Sequence, residues 1–304
     1  MKRLCIFIYL FLLFSLSVLV RCDHTKNLND VRVVGVLVSE DYRVRWEQER
    51  IYFQHKAEQN NLYILSYYVN STNLEYHAQE LLVNEMQVLV IISDDRLDYC
   101  PIIQECHKRN IQVISYDRLV RNCEIDFHVG FDVEEIGRTQ AKHLVDKYRG
   151  NYIIINGALS DRNSFFLKTG QLEILNPYLK RGAINLVGDF NASSVEEAYL
   201  AMAKFIRENP ETEIDVVMAS SDLLAEGVIK ALEHYGVKAV VSGKGASIDG
   251  CKRILEGKQE MSIYLPSEML AQAAAEISVM LINKEENKPD ALVNNNTNFV
   301  PTIM

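Results

Sequence analysis

The sequence predicts an α/β fold in which two doubly wound parallel sheets form two lobes. Short apolar runs rich in β-branched residues alternate with stretches of helical spacing from residue 31 onward. Such runs are typical of strands buried on both faces of a parallel sheet, and the helix-length stretches between them supply the crossovers. Ten predicted strands fall into two sets of five that meet near residues 130–133. Each set is large enough for its own sheet, so we expect two similar lobes rather than one continuous sheet.

The first strand and helix also contain the first candidate binding residues. Val31–Val38 is a continuous apolar run, and Trp46, Phe53 and Ala57 then recur on one stripe of a helix. Arg45 and Trp46 therefore lie at the carboxyl edge of the sheet, where open α/β sheets bind ligands. A guanidinium fork and an indole face suit a polyhydroxylated ligand. The alternative is that Trp46 only packs the helix onto the sheet and that Arg45 is solvated.

The other elements follow from the same two periodicities. Strands are predicted at Val31–Val38, Leu62–Tyr68, Val88–Ser93, Val113–Tyr116, Phe127–Phe131, Tyr152–Ile155, Ile184–Val187, Val216–Ala219, Ala239–Ser242 and Met261–Leu265. Helices are predicted at Arg45–Gln59, Asn73–Glu85, Tyr99–Arg109, Val133–Tyr148, Phe165–Leu179, Val195–Glu208, Leu223–Tyr235, Ile248–Leu255 and Glu268–Ile282.

Length and composition set broad limits on function. The chain has 304 residues, enough for two domains, and 48% of them are apolar, which allows real cores. Its net charge is −9. A nucleic-acid surface needs a basic patch, so we expect no nucleic-acid partner.

The N-terminus predicts a targeting segment, residues 1–22. Met1–Arg3 is basic, and Leu4–Val20 is apolar apart from two serines. Arg21 stands before Cys22, where a lipoprotein signal needs a small residue. We therefore expect an uncleaved membrane anchor that leaves the lobes on the extracellular face.

Cysteine and catalytic patterns are weak. None of the six cysteines forms a C-x-x-C pair, and Cys100 and Cys106 are too far apart on one helix to bridge, so unpaired thiols are expected. No nucleophile motif accompanies the seven histidines. Gly243-Lys-Gly245 lacks the third glycine of a dinucleotide fingerprint. We expect neither catalysis, nor a metal, nor a cofactor.

Polar residues cluster where predicted strands end. Asp117 and Arg118 follow one strand of the first lobe. Asp161 to Asn163 and Ser221-Asp222 follow strands of the second lobe. Each group alone is typical of a helix cap or turn. Because all lie at the same edge of their sheets, together they favour a shared cleft.

Several of these motifs resemble the D-xylose-binding proteins of the type I periplasmic sugar-binding superfamily. The resemblance runs from about Val31 to Pro301 and is carried by Arg43–Trp46, Ile114–Arg118, Asp126-Phe127, Phe131-Asp132, Gly137, Gln140–Lys142 and Lys252–Ile254. It implies a hinged cleft. First-lobe contacts would be Arg45, Asp117 and Arg118, with Trp46 supporting or stacking, and second-lobe contacts would include Asp161 and Asn163.

The same resemblance implies lobe boundaries. The first lobe would comprise residues 31–132 and 266–290, and the second 133–265 and 291–304. The chain would then cross between the lobes near Asp132, near Leu265 and near Pro289–Leu292.

The second half of the implied site departs from the family pattern. Ser221 stands where the family has asparagine before Asp222, Gly245 replaces an aspartate, and Leu265 replaces a lysine. The aromatic platform expected after Asp189 is missing, although Phe190 and Asn191 are nearby. We therefore expect weaker or altered contacts from the second lobe.

Two functions remain open. One is a membrane-anchored D-xylose sensor that signals to a LytS-type histidine kinase, because family members with an anchor and an altered second lobe resemble those subunits. The other is the substrate-binding subunit of a pentose ABC transporter, whose partner would be a permease. Arg21 before Cys22 favours the sensor.

Overall fold

Two parallel sheets form the framework of the protein in a computed structural model, which describes residues 32–94, 96–159, 161–285, 291–292 and 298–301. Each sheet carries helices on both faces, so the predicted doubly wound, two-lobed fold is confirmed. The predicted anchor, residues 1–22, lies outside the described residues.

The first lobe begins with five parallel strands in the order β2-β1-β3-β4-β5. The strands are β1 (Arg32–Ser39), β2 (Leu62–Val69), β3 (Val88–Ile92), β4 (Gln112–Tyr116) and β5 (Phe127–Gly130). The helices are α1 (Arg43–Glu58), α2 (Leu74–Val83) and α3 (Cys100–Lys108), with a 3₁₀ turn at Glu40–Tyr42 before α1. The central strands β1 and β3 are buried along almost their whole length, which explains their uninterrupted apolar sequence.

The second lobe repeats this order as β7-β6-β8-β9-β10. Its strands are β6 (Gly150–Asn156), β7 (Ile184–Asn191), β8 (Val216–Ala219), β9 (Val240–Lys244) and β10 (Met261–Ile263). Its helices are α4 (Val133–Lys147), α5 (Arg162–Lys180), α6 (Val195–Glu208), α7 (Asp222–Tyr235) and α8 (Ile248–Leu255). Helices α4 and α5 cover one face of this sheet, and α6 and α7 cover the other.

Side-chain caps begin every helix of the second lobe. A side-chain oxygen of the preceding residue accepts a hydrogen bond from a backbone N–H in the first turn, which stabilises the helix start. The capping residues are Asp132, Asp161, Ser194, Ser221 and Ser247.

Two glycines let α4 and α5 approach closely. A Cβ atom at Gly137 would lie 2.0 Å from the carbonyl oxygen of Leu167, and one at Gly170 would lie 1.9 Å from that of Glu134. A side chain at either position would therefore force the helices apart. This contact fixes α5, whose first turn belongs to the candidate site.

The chain passes from the first sheet to the second after β5, at Phe131-Asp132, and leaves the second sheet after β10. Helix α9 (Ser267–Asn283) returns to the first lobe and packs beside α1. The tail strands β11 (Ala291–Leu292) and β12 (Asn298–Pro301) then extend the first sheet, because β12 pairs in parallel with β5. The assignment of 291–304 to the second lobe, with a third crossing near residues 289–292, is therefore wrong for the part of the tail that the structure describes.

A disulfide bond joins Cys100 to Cys123, with Cα atoms 5.4 Å apart. The expectation of unpaired thiols is wrong for this pair, because the partner of Cys100 lies in the irregular β4–β5 loop rather than on its own helix. Cys106 and Cys251 are free. Asp98 and the two bonded sulfurs form the single group of three potential metal ligands among the described residues, and those sulfurs already bond each other.

In the described part of the chain, no helix has both the length and the apolar character needed to cross a bilayer.

Candidate functional site

An ion pair joins the two lobes at the carboxyl ends of their sheets. Arg118 follows β4 in the first lobe, and Asp161 precedes α5 in the second. Nη1 of Arg118 lies 3.1 Å from Oδ1 of Asp161, and Nη2 lies 3.2 Å from Oδ2. Each guanidinium nitrogen thus faces its own carboxylate oxygen, the fork geometry that makes such pairs strong and directional. The structure therefore brings together two predicted site residues from different lobes.

A second network holds the first-lobe side of this cleft. Arg45 donates through Nη1 to Oδ2 of Asp117 at 2.6 Å and through Nε to Oε1 of Glu49 at 2.5 Å. The hydroxyl of Tyr116 donates to the other oxygen of Glu49 at 2.6 Å. Glu49 lies on the buried stripe of α1 and Tyr116 ends β4, so Arg45 and Asp117 are positioned by the lobe's own core.

The two carboxylates that share Arg45 respond differently to it. Burial raises the pKa of Asp117, but Arg45, Arg118 and Lys244 together outweigh burial, so this pKa lies below its ordinary value. Burial raises the pKa of Glu49, and Arg45 only partly offsets the effect. Asp117 is therefore held as a carboxylate that can accept hydrogen bonds from a ligand.

His128 supports the turn that follows β4. Asp117 has a φ of 62°, a left-handed conformation that aspartate tolerates, and its N–H donates to the carbonyl of Val129. Nδ1 of His128 lies 3.2 Å from the carbonyl oxygen of Ser115. Burial lowers the pKa of His128 to about 4, although the nearby Asp117 opposes this shift. A Cβ at Gly130 would lie 2.7 Å from Nε2 of His128, so a larger residue there would displace the His128 ring.

Trp46 is buried in the core of the first lobe. Its side chain has no exposed surface and packs edge-on against Phe53 at 5.8 Å and Tyr116 at 6.2 Å between ring centroids. The structure thus supports the packing alternative for Trp46, because the indole lies within the first-lobe core.

Tyr42 is the aromatic residue at the cleft that sequence reasoning missed. It ends the 3₁₀ turn before α1, and the guanidinium carbon of Arg118 lies 5.5 Å from its ring centroid. Burial raises the pKa of Tyr42, and the charges of Arg118, Asp117, Asp161 and Arg45 also act on it. The sequence signal for Tyr42 as a site residue was its position three residues before Arg45, directly after a buried strand.

Asp161 has a second role as the N-cap of α5. Its Oδ1 accepts from the backbone N–H of Asn163 at 3.0 Å, and its Oδ2 accepts from the hydroxyl of Ser164 at 3.0 Å. These bonds aim the carboxylate at Arg118. Asn163 lies half-buried in the first turn of the same helix.

Ser221 and Asp222 organise the second lobe itself. The hydroxyl of Ser221 caps α7 by accepting from the N–H of Leu224. Asp222 is buried, and its Oδ1 accepts from Gln259 at 2.8 Å and from Ser262 at 2.7 Å. Its Oδ2 accepts from the N–H of Ser247 at 2.8 Å. The carboxylate of Asp222 therefore holds the loop after β9, and these hydrogen-bond partners all belong to the second lobe.

Lys244 is the second residue that sequence reasoning missed. It ends β9 at the same sheet edge as Asp161 and is half-buried. Burial lowers the pKa of Lys244, while Asp117 and Asp161 oppose that shift. In the sequence, Lys244 is marked only as the centre of Gly243-Lys-Gly245, which is an incomplete dinucleotide-binding motif.

Comparison with known families identifies this architecture. The model of a periplasmic binding protein domain matches residues 46–286. The chain belongs to this family. Its members bind solutes and are not enzymes.

Two curated relatives are each 35% identical to the chain. The D-xylose-binding periplasmic protein of Haemophilus influenzae aligns over 300 residues, which cover 95% of this chain and 88% of the relative. The D-xylose-binding periplasmic protein of Escherichia coli K12 aligns over 276 residues, which cover 88% and 83%. A solute-binding protein of an ABC transporter from Clostridium phytofermentans, solved with bound β-D-glucose, superimposes with a TM-score of 0.76 at 23% identity and covers 89% of this chain and 92% of that one. This last likeness concerns the fold alone.

Two departures expected from the family resemblance have local structural explanations. Gly245 has a φ of 117°, a conformation that side-chain-bearing residues rarely adopt, so an aspartate at this position would be strained. Leu265 packs against the first-lobe core instead of supplying an ammonium group. Phe190 does not replace the missing aromatic platform, because its ring packs edge-on against Phe205 in the second-lobe core.

Proposed function

We propose that the chain binds D-xylose or a close pentose between its lobes, without changing it chemically, and reports it to a membrane histidine kinase. The observation that carries the binding proposal is the paired set Arg45–Asp117 and Arg118–Asp161 at the joined edges of the two sheets. Guanidinium and carboxylate groups are the donors and acceptors that sugar hydroxyls need. The 35% identity to two D-xylose-binding proteins supports the choice of sugar.

The first lobe is the better prepared half of the proposed site. Arg45 and Asp117 are held by Glu49 and Tyr116, so little side-chain ordering is required when a sugar docks. Tyr42 presents a ring beside Arg118 and can cover an apolar face of the sugar. We therefore infer that the pentose docks on the first lobe and gains the contacts of Asp161 and Asn163 when the lobes close.

Closure supplies the signal. A ligand shifts an open–closed equilibrium only by its differential affinity for the two states, and contacts made to both lobes at once exist only in the closed state. Hinge closure would change the outer surfaces of both lobes together. That combined surface is what a kinase ectodomain would recognise.

The proposed anchor would bring the protein to its kinase partner at the membrane. Leu4–Val20 would hold the protein at the extracellular face of the membrane beside a LytS-type kinase. Confinement to the same membrane raises the effective concentration of the two proteins, so a weak interface that D-xylose strengthens would be enough.

The alternative function is the substrate-binding subunit of a pentose ABC transporter. The names of the two relatives describe periplasmic binding proteins, which favours a soluble, delivering role. The sequence feature that favours the sensor is the pair Arg21-Cys22, where a lipoprotein cleavage site would require a small residue.

The binding proposal is tested by calorimetry of the full-length protein with D-xylose, L-arabinose, D-ribose and D-glucose. We expect D-xylose to bind most tightly. Absence of binding by any pentose would remove the proposed ligand.

The partner proposal is tested by co-reconstituting the full-length protein in nanodiscs with a LytS-type kinase or with a pentose permease and its ATPase from the same cells. We expect D-xylose to strengthen association with the kinase and to change its autophosphorylation, and we expect Arg118→Ala to abolish the sugar effect. N-terminal sequencing should show that the native protein starts before Cys22. Sugar-dependent stimulation of ATP hydrolysis by the permease, with no effect on the kinase, would establish the transport function instead.

A further inference from the structure

The side chain of Lys244 is directed to the cleft end of the second sheet. Alternate residues of a strand point to the same face, so Val240, Ser242 and Lys244 share one face of β9. Val240 packs in the cluster beneath α4 and α5, and the hydroxyl of Ser242 accepts from Gln140 of α4 at 3.0 Å. Lys244 continues this row at the carboxyl end of the strand, on the face where Asp161 begins α5.

The ammonium of Lys244 has an electrostatic environment but no bonding partner. Within the part of the chain that the structure describes, it forms neither a hydrogen bond nor an ion pair. The charged groups that act on it come from both lobes: Asp117 and Asp161 favour its charged form, and Arg118 and Arg45 oppose it. A half-buried ammonium without a partner is unfavourable unless a ligand supplies an acceptor.

The carboxylates near Lys244 are already engaged. Asp161 accepts from Arg118, from Ser164 and from a backbone N–H. Asp117 accepts from Arg45. Lys244 therefore adds a donor at this edge of the second lobe, and an ammonium group matches an oxygen of a sugar hydroxyl or sugar ring.

Two nearby differences from the family pattern indicate why a hydrogen-bond donor is present at Lys244. The family resemblance leads one to expect an aspartate at Gly245 and a lysine at Leu265, and this chain has neither. Leu265 is turned into the first-lobe core, and Gly245 leaves open space, since the nearest atom to a Cβ there is 3.9 Å away. Lys244 can restore the lost ammonium group from the adjacent strand end.

We propose that Lys244 is a specificity-determining binding residue that donates a hydrogen bond from the second lobe to one oxygen of the bound sugar. This inference rests on the proposed binding of a pentose. It assigns the second lobe a charge-assisted contact in addition to Asp161 and Asn163, and it gives the Gly243-Lys-Gly245 motif a function.

The first measurement compares Lys244→Met with Lys238→Met by calorimetry with D-xylose. Lys238 is exposed at the opposite end of the β9 segment and serves as the matched control. Loss of a charge-assisted hydrogen bond predicts a fall in affinity of about 10- to 100-fold for Lys244→Met. Lys238→Met should bind as the unaltered chain does, and Lys244→Arg should retain part of the affinity.

The second measurement separates ligand contact from a structural role. Removal of an unpartnered, half-buried charge should leave the melting temperature of sugar-free Lys244→Met unchanged or higher, whereas its increase on adding D-xylose should be smaller. A structural lysine would instead lower the melting temperature without sugar.

The third measurement identifies the contacted oxygen with monodeoxy analogues of D-xylose. For one analogue, Lys244→Met and the unaltered chain should bind equally, because the partner of the ammonium is gone from both. Equal D-xylose affinity in Lys244→Met and the unaltered chain would overturn the inference and leave pentose binding intact. Failure of the unaltered chain to bind D-xylose would overturn the proposed ligand and this inference together.

Discussion

Arg118 and Asp161 form a two-pronged ion pair across the cleft, with nitrogen–oxygen distances of 3.1 and 3.2 Å. Each side chain is about three-quarters buried, with exposed fractions of 25% and 23%. The pair is thus a direct polar link between the ends of the two sheets, and the groups that make it are also those proposed to bind the sugar. In the proposed site, sugar hydroxyls and the partner carboxylate would compete for the same guanidinium.

Arg118→Ala should reduce D-xylose affinity by at least about 100-fold, because it removes a charge-assisted fork and leaves buried acceptors unmatched. Arg118→Lys should not restore binding, since an ammonium cannot address two oxygens in this geometry. Calorimetry measures both. Arg109→Ala, an exposed arginine on the far end of α3, is the control and should bind normally. Retained affinity in Arg118→Ala would show that the sugar site lies elsewhere.

Trp46→Phe should lower stability and spare binding, because Trp46 is fully buried and packs in the first-lobe core. Loss of part of a fully buried indole predicts a fall in unfolding free energy of about 1–3 kcal/mol. Chemical denaturation measures the stability and calorimetry measures the affinity. Trp46 is the single tryptophan of the chain, so its emission should also resist quenching by iodide, with or without D-xylose. A large loss of affinity at normal stability would restore the stacking role.

Asp222→Ala should act mainly on stability. The substitution removes the acceptor of Gln259, Ser262 and the Ser247 N–H, and buried donors without partners each destabilise by about 1–3 kcal/mol. Thermal unfolding should show a large fall in melting temperature, whereas Asp249→Ala, an exposed aspartate on α8, should show almost none. Sugar binding measured below the melting temperature should fall less than in Arg118→Ala. The opposite ranking would mean that the second lobe dominates recognition.

The fold and the position of Asp117 and Arg118 at the edge of the first sheet were predictable because both follow from local pattern. Buried strands, helical stripes and capping residues mark each element within a few residues of its observed ends. Asp117 and Arg118 directly follow β4, so the topology alone brings them to the ligand edge.

The remaining features depend on contacts between distant parts of the chain. The pairing of Cys100 with Cys123 depends on the path of an irregular loop, and the pairing of the tail with β5 depends on a strand edge left free by the first lobe. The hydrogen bonds of Asp222 depend on Ser247, Gln259 and Ser262, which are 25, 37 and 40 residues away in the sequence. The spacing of residues in the sequence does not predict any of these contacts.

Reduction of the Cys100–Cys123 disulfide should destabilise the first lobe. The bond closes a loop across a separation of 23 residues, and the loss of chain entropy that this imposes on the unfolded state predicts about 3.5 kcal/mol of stabilisation. Denaturation with and without dithiothreitol measures the difference. The double variant Cys100→Ser/Cys123→Ser should be as unstable as the reduced protein and insensitive to reductant. Cys251→Ser, which removes an exposed free thiol, should retain the full response. An unchanged stability on reduction would contradict the role of the bond.

His128 should make the protein sensitive to acid. Its pKa is lowered to about 4 by burial in the fold, whereas an unfolded chain restores a value near 6.5. Between these values the unfolded state binds more protons, so the free energy of unfolding decreases as pH falls from about 6.5 to 4. The two pKa values limit this contribution to about 3 kcal/mol, which is fully present above pH 6.5 and lost by pH 4.

The contribution of His128 is measured as a difference between variants, because carboxylates titrate in the same range. His128→Asn keeps a side-chain amide that can donate to the Ser115 carbonyl but removes the titrating ring. Denaturant unfolding at pH 4.5, 5.5 and 7 should show a weaker pH dependence for His128→Asn than for the unaltered chain, even if its stability at pH 7 is lower. His55→Gln removes an exposed histidine on α1 and should preserve the original pH dependence. Parallel pH profiles for His128→Asn and the unaltered chain would show that another group is responsible for the acid sensitivity.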